Sequence, residues 1–134
     1  MATWNAYYDA LKPFEAEGKI CLPNIPGYSE HNAHLFYVIF EGSNMRNTIM
    51  EDLKNKGILA LFHYVQLHSF SMGIFLGNRE GDLPVTGDLS KKLLRLLLYA
   101  GMTNEEITHI LKNLIEKIEY WESFNENSNQ MTNF

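Results

Sequence analysis

The stretch His34 to Glu41, HLFYVIFE, constrains this chain more than any other. Phe36, Val38 and Phe40 fall on one face of an extended segment, and Leu35, Tyr37 and Ile39 fall on the other. A strand that is apolar on both faces belongs in the middle of a sheet, covered on either side. The rest of the chain must supply that cover.

Helical periodicity brackets this strand. Trp4, Tyr7, Tyr8, Leu11 and Phe14 recur at i, i+3, i+4 spacing, which predicts an amphipathic helix over residues 3–17 that ends at Gly18. Pro13 should kink it or open its last turn. Two prolines and a glycine then make Ile20 to Tyr28 extended, with a turn at Pro26-Gly27. Ser43 is the expected N-cap of a helix reaching Lys56, with Gly57 at its end. Ile58 to Phe62 reads as a short buried strand, and the helical link before it is long enough for a crossover. Glycine-rich residues 69–82 read as a long loop. Thr86 or Asp88 should cap a helix carrying Leu89, Leu93 and Leu94, and Leu96 to Tyr99 should be a further buried strand. Thr103 and Glu106 form a capping box for the clearest helix, whose apolar stripe runs from Ile107 to Trp121. The expected fold is α+β: a small sheet of three to four strands packed with about four helices. Residues 1–121 form the domain, and 122–134 are a polar tail expected to fray.

Length and charge narrow the function classes. At 134 residues the chain is one domain by size. The net charge of −5, with no cluster of Lys or Arg, disfavours nucleic acid and anionic membrane as partners. Cys21 is the only cysteine, which rules out an intrachain disulfide. Neither a signal peptide nor a spanning apolar stretch is visible, so a cytoplasmic protein is expected.

The histidines invite a metal reading, but the spacings argue against one. His31 and His34 are three apart at the start of a strand, and His63 and His68 are five apart in extended chain. No third ligand of matching geometry stands near either pair, and no metal is expected. Ser69 and Ser71 lack a nucleophile elbow, and no phosphate-cradling glycine loop lies between a strand and a helix. The polar rings His63, Tyr64 and His68, just past the Ile58 to Phe62 strand, are the candidate site residues. They are expected to gather on one exposed side at the strand's C-terminal end.

The segment Ile58 to His68, ILALFHYVQLH, resembles the G-I-x-x-x-x-H-Y-x-P-L-H segment in the small C-terminal domain of DegT/DnrJ/EryC1/StrS-type sugar-nucleotide aminotransferases. Residues Tyr8 to Pro26, His31 to Phe40 and Leu93 to Thr103 are similar to other blocks of that domain, in the same order. Two residues depart from the pattern. Gln66 and Leu97 stand where the family usually has proline, and Gln66 should loosen the turn leading to His68.

The resemblance implies the fold of the C-terminal domain of fold-type I transferases. It implies amino transfer from glutamate to a TDP-4-keto-6-deoxyhexose for surface polysaccharide, with His63, Tyr64 and His68 contacting the sugar nucleotide. In that family pyridoxal phosphate is bound by a separate large domain, which supplies the Schiff-base lysine. The chain alone is therefore expected to hold no cofactor and to be inactive. Its partners should be the missing large domain, or a second copy through the aromatic face of the first helix (Trp4, Tyr7, Tyr8, Phe14), unless that helix repacks on its own domain. The alternative is a stand-alone binding or regulatory module derived from that domain.

Overall fold

A computed structural model describes residues 1–131. The fold is α+β, as expected: helices α1 (Ala2–Ala16), α2 (Ser43–Asn55), α3 (Ser71–Phe75), α4 (Pro84–Lys92) and α5 (Asn104–Met131), with strands β1 (Ile20–Cys21), β2 (Phe36–Phe40) and β3 (Leu93–Leu96). The strands form one antiparallel sheet in the order β1-β2-β3.

β2 is central, but its two faces are not equally covered. Phe36, Val38 and Phe40 are buried, whereas Tyr37 and Ile39 are only half-buried. The core lies on the first face, where Tyr7 and Leu11 of α1, Ile49 and Leu53 of α2, and Leu114 and Ile118 of α5 close over Phe36, Val38 and Leu94. The sequence led us to expect cover on both sides. Here the second face stays partly open because α1, α2 and α5 all serve the first.

α1 tolerates Pro13 because the proline stands in its last turn, and Gly18 (φ +76°) ends it in the left-handed conformation. Its aromatic face is not free for self-association. Trp4 is 6% exposed, stacks on Tyr8 and meets the Phe36 ring edge-on, with centroids 5.3 Å apart. The Tyr7 hydroxyl donates to the carbonyl of Leu97 at 2.8 Å. Of the two outcomes expected for this face, repacking on its own domain is the one found.

The other boundaries shift for local reasons. Gly42, not Ser43, is the N-cap of α2. Residues 69–82 are not one loop, since α3 lies within them, and α4 opens on Pro84, a favoured first helical residue. Leu93 and Leu94 belong to β3 rather than to that helix, because pairing of Leu93 with Ile39 and Leu94 with Val38 claims them for the sheet. The turn at Pro26 is present, with Ser29 N–H donating to Pro26 O at 2.9 Å. The capping box closes as read: Glu106 N–H donates to Thr103 Oγ1 (3.2 Å) and Thr103 N–H to Glu106 Oε2 (2.8 Å). The α5 backbone runs through Met131; residues 132–134 of the expected tail lie outside the described residues. No helix among the described residues is long and apolar enough to cross a membrane.

Candidate functional site

Ile58 to Phe62 is a strip rather than a strand. Only Leu61 pairs, exchanging two backbone hydrogen bonds with Arg95 at the outer edge of β3 (2.7 and 3.1 Å). Burial alternates along it: Ile58 and Ala60 are inside, whereas Leu59 and Leu61 are 57% and 45% exposed. The unbroken apolar run suggested burial on both sides, but the strip shares the sheet's half-open second face. It is antiparallel to β3, which is antiparallel to β2, so the strip runs parallel to β2 across the α2 crossover.

Past Leu61 the chain leaves the sheet edge. His63 and Tyr64 are exposed and lie side by side, ring centroids 4.5 Å apart and edge to face. With Phe62, Val65, Leu67 and Phe70 they line a concavity of about 560 Å³. Its walls are almost wholly apolar, with His63 and Tyr64 the residues among them that carry polar side-chain atoms. Such a surface suits a ring with an apolar face and hydroxyls at its edge.

His68 is not with them. It sits in a 3-10 turn, Leu67–Ser69, and is 8% exposed, while Leu67 beside it is 84% exposed. The expected trio is thus a pair plus a buried third ring. Gln66 accounts for this. Its Nε2 donates to Ser90 Oγ and its Oε1 accepts from Ser69 Oγ (3.0 Å), while Ser90 Oγ donates to Gly87 O (3.1 Å). This network ties the turn to α4. The expectation that Gln66 loosens the turn is therefore corrected, since side-chain bonds replace the stiffness of a proline ring. Its backbone, φ −61° and ψ 127°, still has the shape a proline would impose. Gly73 completes the seat: a Cβ there would collide with the carbonyl oxygen of Leu67 and come within 2.7 Å of that of His68.

A second group lies on the open face, and the sequence reading missed it. Arg95 pairs with Tyr37 on one side and Leu61 on the other, which places all three on one face of the sheet. With His34, Leu35, Leu61 and Leu97 it lines a small concavity of about 100 Å³. His63 is close enough to feel it. Partial burial of its ring holds His63 below the usual histidine pKa, and the charges of Arg95 and His34 push the same way. The available signal is the single charge inside LLRLLL, which falls between the expected helix and the expected strand.

His31 and His34 also have partners of their own. His31 packs against Trp4 at 4.5 Å, and His34 Nδ1 bonds to Asn32 Oδ1 at 2.7 Å. Among the described residues no three His, Cys, Asp or Glu side chains are grouped so as to hold a metal ion.

Comparison with known proteins places the fold. Residues 1–115 match the model of the DegT/DnrJ/EryC1/StrS aminotransferase family. Among solved structures, the fold is shared with Spr1654 of Streptococcus pneumoniae in its PMP form (TM-score 0.78, 20% identity, 93% of this chain and 31% of that one). It is shared with DesV of S. venezuelae in complex with a ketimine intermediate (0.75, 22%, 87% and 31%). It is shared also with NtdA of Bacillus subtilis with bound cofactor PMP (0.75, 24%, 87% and 27%). This chain thus spans less than a third of the length of each of these structures.

Proposed function

We propose that this chain, which belongs to the DegT/DnrJ/EryC1/StrS aminotransferase family, is the small domain of a sugar-nucleotide aminotransferase and completes an active site whose cofactor is held by a separate large domain. Residues 1–121 would be the domain and 122–134 its polar tail. The observation that carries this reading is the bare apolar surface around the His63–Tyr64 pair. Leu67, Phe70, Met72, Ile74, Phe75 and Leu76 are all more than half exposed, in one segment directly after the pair. A self-sufficient monomer rarely leaves such a patch uncovered, and each large side chain forgoes roughly 1.5–3 kcal/mol of burial. A large domain seated there would turn the open concavity into one wall of a cleft.

The lining of the His63–Tyr64 concavity does not fit pyridoxal phosphate as its primary site. No lysine lines the concavity at His63 and Tyr64. Lys56, Lys92 and Lys117 are engaged with Asp52, Asp88 and Asp52 respectively. The cofactor, when bound by its own domain, supplies the electron sink for amino transfer.

What this chain contributes is recognition. The His63 ring nitrogens and the Tyr64 hydroxyl offer hydrogen bonds to sugar hydroxyls, and Phe62, Leu67 and Phe70 offer apolar contact to a deoxyhexose face. His68, held under the turn, positions that wall without touching substrate. Within the family, the blocks quoted above favour a TDP-4-keto-6-deoxyhexose as acceptor and glutamate as donor, in cytoplasmic surface-polysaccharide synthesis.

Co-expression of the chain with the pyridoxal-phosphate-binding domain of a family aminotransferase tests this reading. The readout is glutamate-dependent conversion of the 4-keto sugar nucleotide to the amino sugar, followed by mass. Activity should need both polypeptides. Turnover by this chain alone, or a stoichiometric borohydride-reducible adduct at one of its lysines, would refute the reading.

A further inference from the structure

We infer that Arg95, His63 and His34 form a binding site for one oxyanion group of a substrate, a phosphoryl or a carboxylate, on the open face of the sheet. Only the identity of the molecule bearing that oxyanion rests on the function proposed above.

Arg95 is held in place from both sides. Its backbone is fixed between β2 and Leu61, and Leu61 alone gives it two hydrogen bonds. It is half-buried among leucines, yet no carboxylate of the described residues lies within ion-pair distance of it. A guanidinium in apolar surroundings without an anion is costly, and its planar fork matches both carboxylate and phosphate.

The concavity it lines with His34 has the right scale. At about 100 Å³ it holds a few waters or a single oxyanion group, and it is far too small for a nucleotide. The rest of the bearer must therefore lie outside it.

His34 is set in place at a cost. Both its backbone N–H and its ring Nδ1 reach Asn32 Oδ1, at 3.3 and 2.7 Å. Because that oxygen only accepts, Nδ1 carries a proton and Nε2 is left without one in the neutral ring. The residue before it, Ala33, is buried with φ +52°, the one non-glycine left-handed residue among those described. Strain of this kind in the segment that presents a polar side chain is found at functional sites. His63 stands at the rim, two residues past Leu61, the backbone partner of Arg95, and the charges of Arg95 and His34 disfavour its own. Three groups able to carry positive charge converge here on a chain of net charge −5. A bound anion would relieve their mutual repulsion.

The test is NMR of the labelled 134-residue chain, observing the histidine ring and arginine Nε signals. Inorganic phosphate and glutamate are titrated separately, with sodium chloride at matched ionic strength as reference. Saturable shifts of His63, His34 and Arg95 are expected at millimolar concentration, and the tighter of the two ligands identifies the bearer. Arg95→Gln should weaken binding at least about tenfold, with Arg95→Lys in between. If Arg95→Gln does not fold, His63→Gln serves instead and should weaken binding several-fold. Shifts no different from those in chloride, or binding unchanged in the variant that folds, would overturn the inference. Oxyanion binding without complementation by a large domain would leave this site standing and remove the proposed function. Complementation without oxyanion binding would do the reverse.

Discussion

Gly73→Ala sets two physical effects against each other with opposite signs. Gly73 lies in the middle of α3, and its backbone is not left-handed. Helix propensity alone would make alanine stabilising there, by up to about 1 kcal/mol. The structure says otherwise. The new Cβ would strike the Leu67 carbonyl oxygen and sit 2.7 Å from that of His68, and backbone cannot rotate away as a side chain can. Overpacking of this kind costs about 1–3 kcal/mol, so the net expectation is a loss of about 1–2 kcal/mol. That loss should be local, because the 3-10 turn and α3 pack on each other at the surface and can open without the core. Amide exchange is the assay: the N–H groups of Ile74 and Leu76, bonded to Phe70 and Met72 carbonyls at 2.9 and 3.0 Å, should exchange roughly tenfold faster. Gly87→Ala is the control, because it lies in α4 with nothing within 4 Å of the added atom, and it should stabilise. If both variants stabilise alike and exchange in the turn is unchanged, the close approach that seats His68 is wrong.

Two further expectations follow from single contacts. Tyr7→Phe removes a buried hydroxyl and strands the Leu97 carbonyl, so urea unfolding should show a loss of about 1–3 kcal/mol. Burial holds the Tyr7 pKa well above its ordinary 10.0, so the stability it lends is intact below that pH and falls as pH rises beyond it; a Tyr7→Phe variant with unchanged stability would count against the bond. His63, faced by Arg95, His34 and the Tyr64 ring, is held below the ordinary 6.5. Its contribution to stability is therefore present above 6.5 and lost as pH falls through the lower folded value. In an NMR titration Arg95→Gln should raise the His63 pKa; a wild-type His63 that titrates at or above 6.5 would show that the three groups do not converge.

The readable parts of this fold were those whose periodicity answers to a single buried face. α1, α2 and α5 each carry a clear stripe, and Thr103 and Glu106 announce the start of α5 through an interaction complete within four residues. The leucine run around β3 was harder, because leucines at 93, 94, 96, 97 and 98 fit either a helix or a strand. Its register is decided by β2, a partner more than fifty residues away. The burial of His68 was not legible either. It depends on Gln66 reaching Ser90 across the chain, and a residue read only as an absent proline gave no hint of that.

The failures on apolar residues have a common location. Leu35, Tyr37 and Ile39 of the β2 segment and Leu59 and Leu61 of the strip read as material for a covered surface. In the structure they are half-buried or exposed. Random error would scatter such positions over the molecule. Instead they lie on the sheet's second face, around Arg95. Sequences depart from local consistency mainly where function or assembly demands it. The same residues therefore satisfy both observations if that face is covered by another domain, with Arg95 left as the charged group inside the contact. A half-buried arginine in an otherwise apolar interface needs an anion there, which is why the unpaired charge and the bare leucines belong to one argument.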